Sequence, residues 1–154
     1  MALTFEITFV EDDILDKLDE DDGRISSIMF SEDRPSVSLG RAWHIIHALL
    51  TGSADKVAGP LSFMISGGRE LSRERNGGWV CAYSSSDVAK IRSKLPSADA
   101  LEKRYATDGL PDRVLYADRV ETQGAEYFLE VYRELIERIG EAADEDQGML
   151  AGLI

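Results

Sequence analysis

The segment LGRAWHIIHALLTG, residues 39–52, constrains the fold of this chain more than any other stretch. It predicts a helix over residues 39–51, and the apolar side chains between Trp43 and Leu50 point in nearly every direction around that helix. A helix that is apolar nearly all round is buried on more than one side. Gly52 follows it, and glycine is preferred just past a helix end. Other elements of the chain must therefore enclose this helix.

Three segments predict strands. In LTFEITFV, Leu3–Val10, apolar and polar residues alternate, which is typical of a strand with one buried and one solvated face. WVCAY, Trp79–Tyr83, predicts a short apolar strand after a Gly-rich turn. MLAGLI, residues 149–154, predicts a last strand, which we expect to dock in a sheet.

Helices are predicted at four further places. The clearest is SSSDVAKIRSKL, residues 84–95, where Ser84 is a good N-cap and Asp87 lies three residues later, as in a capping box. The others are a short acidic helix, a second short helix and a long one, over residues 11–23, 97–109 and 120–143.

Two segments leave alternatives open. In residues 24–37, ISSIMF fits either a strand or the edge of a helix, and SEDRPS is a loop. GPLSFMISGG, residues 59–68, alternates like a strand, but Pro60 at its start and Gly67 near its end are typical of a short helix. We favour the helix for residues 59–68.

The charge of the chain disfavours some classes of partner. The sequence has 29 acidic and 17 basic residues, a net charge of −12. A field of this sign repels phosphate groups, so we expect no nucleic acid and no anionic membrane as partner. A basic protein or a cation is the better expectation, and the alternative is that the charge serves solubility alone. The oligomeric state is left open.

Length and cysteine content indicate one domain in a reducing compartment. The 154 residues are the size of one ordinary domain, and no repeat or linker divides them, so we expect a single domain over residues 1–154. Cys81 is the only cysteine, which excludes a disulfide or a Cys-based zinc site within the chain. The start, MALTFEITFVEDD, does not resemble a signal peptide. A cytoplasmic location is therefore expected.

The two histidines, His44 and His47, allow two interpretations. They lie on neighbouring faces of the predicted helix and could both reach one metal, but HExxH is absent and no carboxylate lies between Gly40 and Leu50. The other interpretation is a buried histidine that is hydrogen-bonded to a backbone carbonyl or carboxylate. We therefore predict no metal, no cofactor and a structural role for His47.

No catalytic motif is recognised. Ser62, Ser66 and Cys81 are candidate nucleophiles with His47 as base, but GxSxG is absent, and ISGGREL lacks the Lys-Ser/Thr ending of a phosphate loop. Cys81 lies in an apolar strand, which predicts an unreactive core thiol. Whether the protein is an enzyme is left open.

Segment 66–79 is the best location for a ligand site if the chain has one. It concentrates glycines, where backbone amides can approach a ligand, and arginines, which bind carboxylate or phosphate. We expect the site where this segment meets the predicted helix, formed by Trp43, His44, His47, Gly67, Gly68, Arg69 and Trp79. The alternative is a surface hairpin whose arginines balance nearby acids.

Four segments, in chain order, resemble the YfbM-like family (domain of unknown function 1877): AWHIIHALLTG, PLSFMISGG, YSSSDVAKI after a Gly-containing turn, and YFLEVYRELIERIGEAADEDQGML. The resemblance implies a bacterial, single-domain α/β fold, and we expect a layered α/β sandwich in which helices flank a small mixed sheet. Cys81 stands where a YGPxR-like stretch of the family would place arginine. The family has no assigned activity, so the resemblance implies a fold alone.

Two hypotheses of function remain. The first is a protein-interaction module whose acidic surface binds a basic partner, as an immunity protein would bind a basic toxin. It rests on the net charge of −12 and the lack of a catalytic motif. The second is a small-molecule-binding protein or enzyme with a pocket between the helix of the histidines and the Gly-rich turn.

Overall fold

The computed structural model describes residues 3–154; Met1 and Ala2, which the sequence analysis assigns to the same domain, lie outside the described residues. The strands are β1 (Phe5–Glu11), β2 (Ser36–Gly40), β3 (Arg69–Arg73), β4 (Trp79–Tyr83) and β5 (Gln147–Leu153). The α-helices are α1 (Asp12–Leu15), α2 (Arg24–Met29), α3 (Trp43–Thr51), α4 (Ser85–Lys94), α5 (Ala98–Asp108), α6 (Asp118–Gln123) and α7 (Glu126–Asp144). A short 3-10 helix spans Pro60–Ser62.

The strands form one sheet in the order β2-β1-β5-β4-β3. The predicted α/β class is confirmed, but the four described pairings are all antiparallel, so the sheet is antiparallel and not mixed. The apolar segment at the end of the sequence docks in the sheet as predicted, and β5 is its central strand. Gly152 allows β5 to approach β4 closely, because a Cβ there would lie against the carbonyl oxygen of Trp79 and 2.9 Å from the Cα of Val80.

The larger core covers the first face of the sheet. Phe5, Ile7 and Phe9 of β1 point into it, as their alternation predicts. All residues of α3 from Trp43 to Leu50 are buried, as expected for a helix that is apolar nearly all round. Helix α3 contacts α5 and α7, while α4 and α7 contact β5, so this face carries most of the helices.

Helices α1 and α2 lie on the second face of the sheet, where a smaller core joins them to the strands. That core contains Val10, Leu15, Leu18, Ile25, Met29, Leu71, Val80, Ala82 and Leu150. Thr8, which the alternation assigns to a solvated face, is buried here, and its hydroxyl donates to the carbonyl of Met29 at 3.3 Å. The molecule therefore has three layers, with a thin helical layer on this side.

The best-supported helix predictions are confirmed, and one long helix is divided. In the capping box of α4, the Ser84 hydroxyl accepts from the Asp87 N–H and the Asp87 carboxylate accepts from the Ser84 N–H, both at 3.2 Å. The single helix predicted over residues 120–143 is wrong, because Gly124, with φ of 76°, separates α6 from α7. Within residues 3–154, none of the helices has both the length and the apolar character that crossing a membrane requires.

Other boundaries also differ from prediction. The helix predicted over residues 39–51 begins only at Trp43, because residues 36–40 form the unpredicted strand β2. Of the helix predicted over residues 11–23, only α1 is helical. In residues 24–37, where strand and helix were both open, α2 shows that the first part is helical. The favoured short helix in residues 59–68 is confirmed. Strand β3 was not predicted, but it forms with β4 the hairpin that was the alternative for segment 66–79.

Candidate functional site

His44 is fixed by hydrogen bonds on both sides of its ring. The Leu115 N–H donates to Nδ1 at 2.9 Å, which places the hydrogen of the neutral ring on Nε2. Nε2 lies 2.7 Å from the carbonyl oxygen of Ala54 and donates to it. His44 thus joins α3 to two separate loops, and neither ring nitrogen is left for a ligand.

His47 is fully buried, with 0% exposure, and only one of its nitrogens is satisfied. Nε2 lies 2.8 Å from the carbonyl oxygen of Asp55 and donates to it, whereas Nδ1 has no hydrogen-bond partner among the described residues. Burial lowers the pKa of His47 and outweighs the Asp55 hydrogen bond, which raises it. The ring is therefore neutral near pH 7.

The two histidines do not converge on a common point. Their rings stack with centroids 6.1 Å apart and planes 18° apart, and each Nε2 is directed at a carbonyl of the following loop. Each ring is hydrogen-bonded to a backbone carbonyl, which is the geometry of the interpretation as a buried structural histidine. Among residues 3–154, no group of three His, Cys, Asp or Glu side chains is arranged to hold a metal ion.

The residues predicted for a ligand site come together only in part. Trp43 and Trp79 meet edge to face with centroids 6.1 Å apart, and the Trp43 ring lies 4.9 Å from that of His44. Trp43 is only 5% exposed, so this contact belongs to the larger core. Arg69 lies elsewhere, because its guanidinium donates to the carbonyl oxygens of Leu15 and Leu18 at 2.7 and 2.9 Å.

A cavity of about 260 Å³ opens beside Gly67. Phe63 and Tyr83, which meet edge to face at 6.5 Å, line it together with Ile91, Asp87 and Lys90. Gly68 lies against the Tyr83 ring, where a Cβ would be 2.7 Å from the nearest ring atom. The pocket beside the glycines therefore adjoins α4, and neither histidine lines it.

The candidate nucleophiles are not activated by His47. Cys81 is 8% exposed, and burial raises the pKa of its thiol, so the thiol is protonated near neutral pH. The Ser62 hydroxyl accepts from the Val57 N–H at 3.1 Å. Since the described hydrogen bond of His47 goes to the Asp55 carbonyl, no nucleophile–base pair is formed there.

Two open cavities on the second face form one continuous groove, here called the second-face groove. One, of about 390 Å³, lies between α2 and strands β3 and β4; the other, of about 370 Å³, lies between α2 and the start of β1. Met29, Phe30 and Ile154 line both, so the cavities meet at these side chains. Phe30 is 71% exposed and places a bare aromatic ring in the middle of the groove.

Carboxylates lie at both ends of the second-face groove. Glu6 lines the end beside β1, and Asp21 and Glu74 line the other end. None of these three makes an ion pair with a described cation. Asp22 on the same rim is different, because hydrogen bonds from Arg24 hold the pKa of its carboxyl well below the usual range.

The groove adjoins the most acidic stretch of the chain. Residues 11–22, here called the acidic segment, contain eight acidic residues and one lysine, a net charge of −7 out of −12 for the chain. The segment is held in place by its own backbone, since the Asp21 N–H donates to the carbonyl of Leu71 in the edge strand β3 at 2.8 Å. Arg69 fixes the end of α1 from the same strand. The sequence shows that this stretch is acidic, whereas the groove forms only in the folded chain.

One signal could have located the groove. If residues 24–29 are taken as a helix, Ile25, Ile28 and Met29 form a stripe with helical spacing, and Phe30 falls outside it. An aromatic residue off the buried stripe predicts an exposed ring. The open choice between strand and helix for this segment hid that pattern.

Comparisons with known proteins identify the family of the chain. A family model described as a domain of unknown function, DUF1877, matches residues 1–151. The chain belongs to this family. Among solved structures, that of YfbM from Escherichia coli, a protein of unknown function, is similar, with a TM-score of 0.65 and 17% identity over 98% of this chain and 99% of that chain. A search of curated proteins finds no match.

Membership of the DUF1877 family confirms the predicted resemblance, and the similarity to YfbM confirms the α/β fold. At 17% identity that similarity concerns the fold alone. The family supplies no activity. A function for this DUF1877 member therefore has to be argued from its own second-face groove and acidic segment.

Proposed function

We propose that this protein is an interaction module that binds a basic protein partner at the acidic segment and the adjoining second-face groove. The observation that carries the proposal is that a net charge of −7 in twelve residues borders an open apolar groove on one face. Charge of one sign steers an oppositely charged partner and selects it, while apolar surface holds it after contact. In this proposal residues 1–154 act as one cytoplasmic domain, and an immunity protein against a basic toxin is one form it could take.

The same charge argues against nucleic acid and anionic membranes as partners. Phosphate binding relies on lysine and arginine side chains that release condensed counterions. Arg69 of the Gly-rich hairpin is already bonded to backbone carbonyls, and Arg73 is paired with Glu70. The surface thus favours cationic over anionic partners.

Affinity purification with matched variants tests the proposal. The test variant removes three exposed carboxylates of the acidic segment through Asp16→Asn, Asp19→Asn and Glu20→Gln. The control removes three exposed carboxylates of α7 that make no ion pair with a described cation, through Glu130→Gln, Glu134→Gln and Glu137→Gln, so both proteins carry the same net charge.

The proposal requires a strongly basic partner that is released by high salt, because salt screens the attraction of exposed charges. That partner must be lost in the acidic-segment variant and retained in the α7 variant. Equal retention by both variants, or a partner that is acidic and insensitive to salt, would show that the acidic segment is not a binding surface.

A second candidate function is a small-ligand site in the cavity beside Gly67. It is favoured by the aromatic rings of Phe63 and Tyr83 next to Lys90, which together suit a small apolar carboxylate. NMR titration with benzoate and with hexanoate tests it, and Lys90→Gln serves as the variant. Shifts at Gly67 and Tyr83 that weaken in the variant support this site, whereas no shift at millimolar ligand excludes it for this class of ligand.

A further inference from the structure

We infer that the second-face groove receives an extended segment of the partner with one large apolar side chain between two cationic ones. This inference rests on the proposed function and specifies the chemistry of the partner at that surface. The inference follows from the arrangement of side chains along the groove, in which an apolar centre lies between carboxylates at the two ends.

The apolar centre selects a large side chain. Met29, Phe30 and Ile154 line both parts of the groove, and Phe30 is 71% exposed. A bare aromatic ring beside aliphatic side chains binds another aromatic or large aliphatic group, and such central anchors carry most of the affinity of protein interfaces.

The carboxylate ends select cations on both sides of that anchor. Glu6 is oriented by the hydroxyls of Thr4 and Ser38, which both donate to its Oε1 at 2.9 Å and leave Oε2 without a described hydrogen bond. At the other end, Asp21 and Glu74 have no described ion-pair partner, and the backbone of Asp21 is bonded to the edge strand. Arginine or lysine would pair with these groups.

The same arrangement disfavours other segments. An acidic segment would bring like charges together at both ends of the groove. An uncharged apolar segment would remove the carboxylates from water without a partner, which costs free energy. The groove therefore discriminates between partners by charge at its ends and by size at its centre.

A defined peptide tests the inference without knowledge of the natural partner. We would titrate the acetylated, amidated peptide Arg-Gly-Trp-Gly-Arg into labelled protein and follow backbone amide shifts. Shifts centred on Phe30, Val80 and Ile154 are expected. The peptides Glu-Gly-Trp-Gly-Glu and Arg-Gly-Ala-Gly-Arg should bind far more weakly, because the first reverses the charges and the second lacks the anchor.

Matched variants separate the anchor from the charges. Phe30→Ala should weaken binding roughly threefold to tenfold, whereas Leu115→Ala, which alters another large and strongly exposed apolar side chain, should leave it unchanged. Glu6→Gln combined with Glu74→Gln should weaken binding and reduce its dependence on salt, whereas Glu130→Gln with Glu134→Gln should not. The amide spectrum of each variant first verifies that it is folded.

The outcomes distinguish this inference from the proposed function. If the peptide gives no shifts at millimolar concentration, or if Phe30→Ala binds it as tightly as the wild type, the assignment of the groove is overturned. Neither result decides the proposed function, since that depends on whether a basic partner is lost when Asp16, Asp19 and Glu20 are changed. If the variant with Asp16, Asp19 and Glu20 changed loses the basic partner but still binds the Arg-Gly-Trp-Gly-Arg peptide as tightly as the wild type does, the result supports both the proposed function and this inference.

Discussion

Replacing each histidine with phenylalanine should destabilise the protein at position 44 more than at position 47. His44→Phe keeps a ring but leaves the Ala54 carbonyl and the Leu115 N–H without their partners. An unpaired buried polar group costs about 1–3 kcal/mol. Because both groups lie on loops that can relax toward water, we expect His44→Phe to lower the free energy of unfolding by about 2–4 kcal/mol.

His47→Phe combines two opposite effects. It removes the hydrogen bond to the Asp55 carbonyl, but it also removes Nδ1, a buried acceptor without a described partner. The expected loss is therefore only about 0–2 kcal/mol. Both substitutions enlarge a buried ring, so the difference between them isolates the nitrogens.

Urea unfolding followed by circular dichroism near pH 8 measures both variants, with the free energy obtained by linear extrapolation and the urea dependence checked for constancy. Equal losses, or a larger loss for His47→Phe than for His44→Phe, would refute the assignment of the hydrogen bonds. A nearly unchanged stability for both would refute the structural role of the pair.

Three further predictions concern stability. Because burial lowers the pKa of His47, the unfolded chain takes up a proton below about pH 6.5 that the folded chain does not. The free energy of unfolding should therefore decrease as the pH is lowered below that value, by up to about 1.4 kcal/mol per pH unit. In urea unfolding between about pH 7 and 5.5, His47→Phe should show a weaker dependence of stability on pH than the wild type. Gly152→Ala should lower the free energy of unfolding by about 3 kcal/mol or more, or prevent folding, because the added Cβ would clash with the backbone of β4. Gly23→Ala, at a position with no neighbour within 4 Å, should leave the thermal midpoint nearly unchanged. Tyr83→Phe removes the hydroxyl that donates to the Phe63 carbonyl and should cost about 1–3 kcal/mol in the same urea assay.

Local sequence patterns account for the elements that were predicted correctly. The alternation in β1 and the capping box of Ser84 and Asp87 act within a few residues, so they can be read without knowledge of the fold. Strands β2 and β3 are five-residue edge strands with few buried apolar residues, Val37 and Leu39 in β2 and Leu71 in β3, so their alternation is too short to indicate a strand. Gly124 was overlooked as a helix end because apolar residues continue on both sides of it.

The candidate site depended more on tertiary structure. The sequence predicted that segment 66–79 would meet the helix of the histidines, and Trp79 of that segment does contact Trp43. Arg69, however, reaches the opposite side of the sheet, and local spacing could not reveal that. Of the second-face groove, the sequence could indicate only the exposed ring of Phe30, because the groove itself exists only where α2 leaves part of a strand surface uncovered. Phe30 and Glu74 are far apart in sequence and line one cavity only in the folded chain.

The position of β5 has a consequence for how the chain is made. This strand follows the other four in the sequence, yet it separates β1 from β4 in the sheet. A ribosome-bound chain that has not yet released residues 147–153 can form β1 with β2 and β3 with β4 only as two separate ribbons. Each ribbon then exposes a row of unpaired backbone groups that can pair with another chain. The sheet can therefore close only after residues 147–153 have left the ribosome, and a peptide that supplies β5 is expected to complement a chain that lacks it.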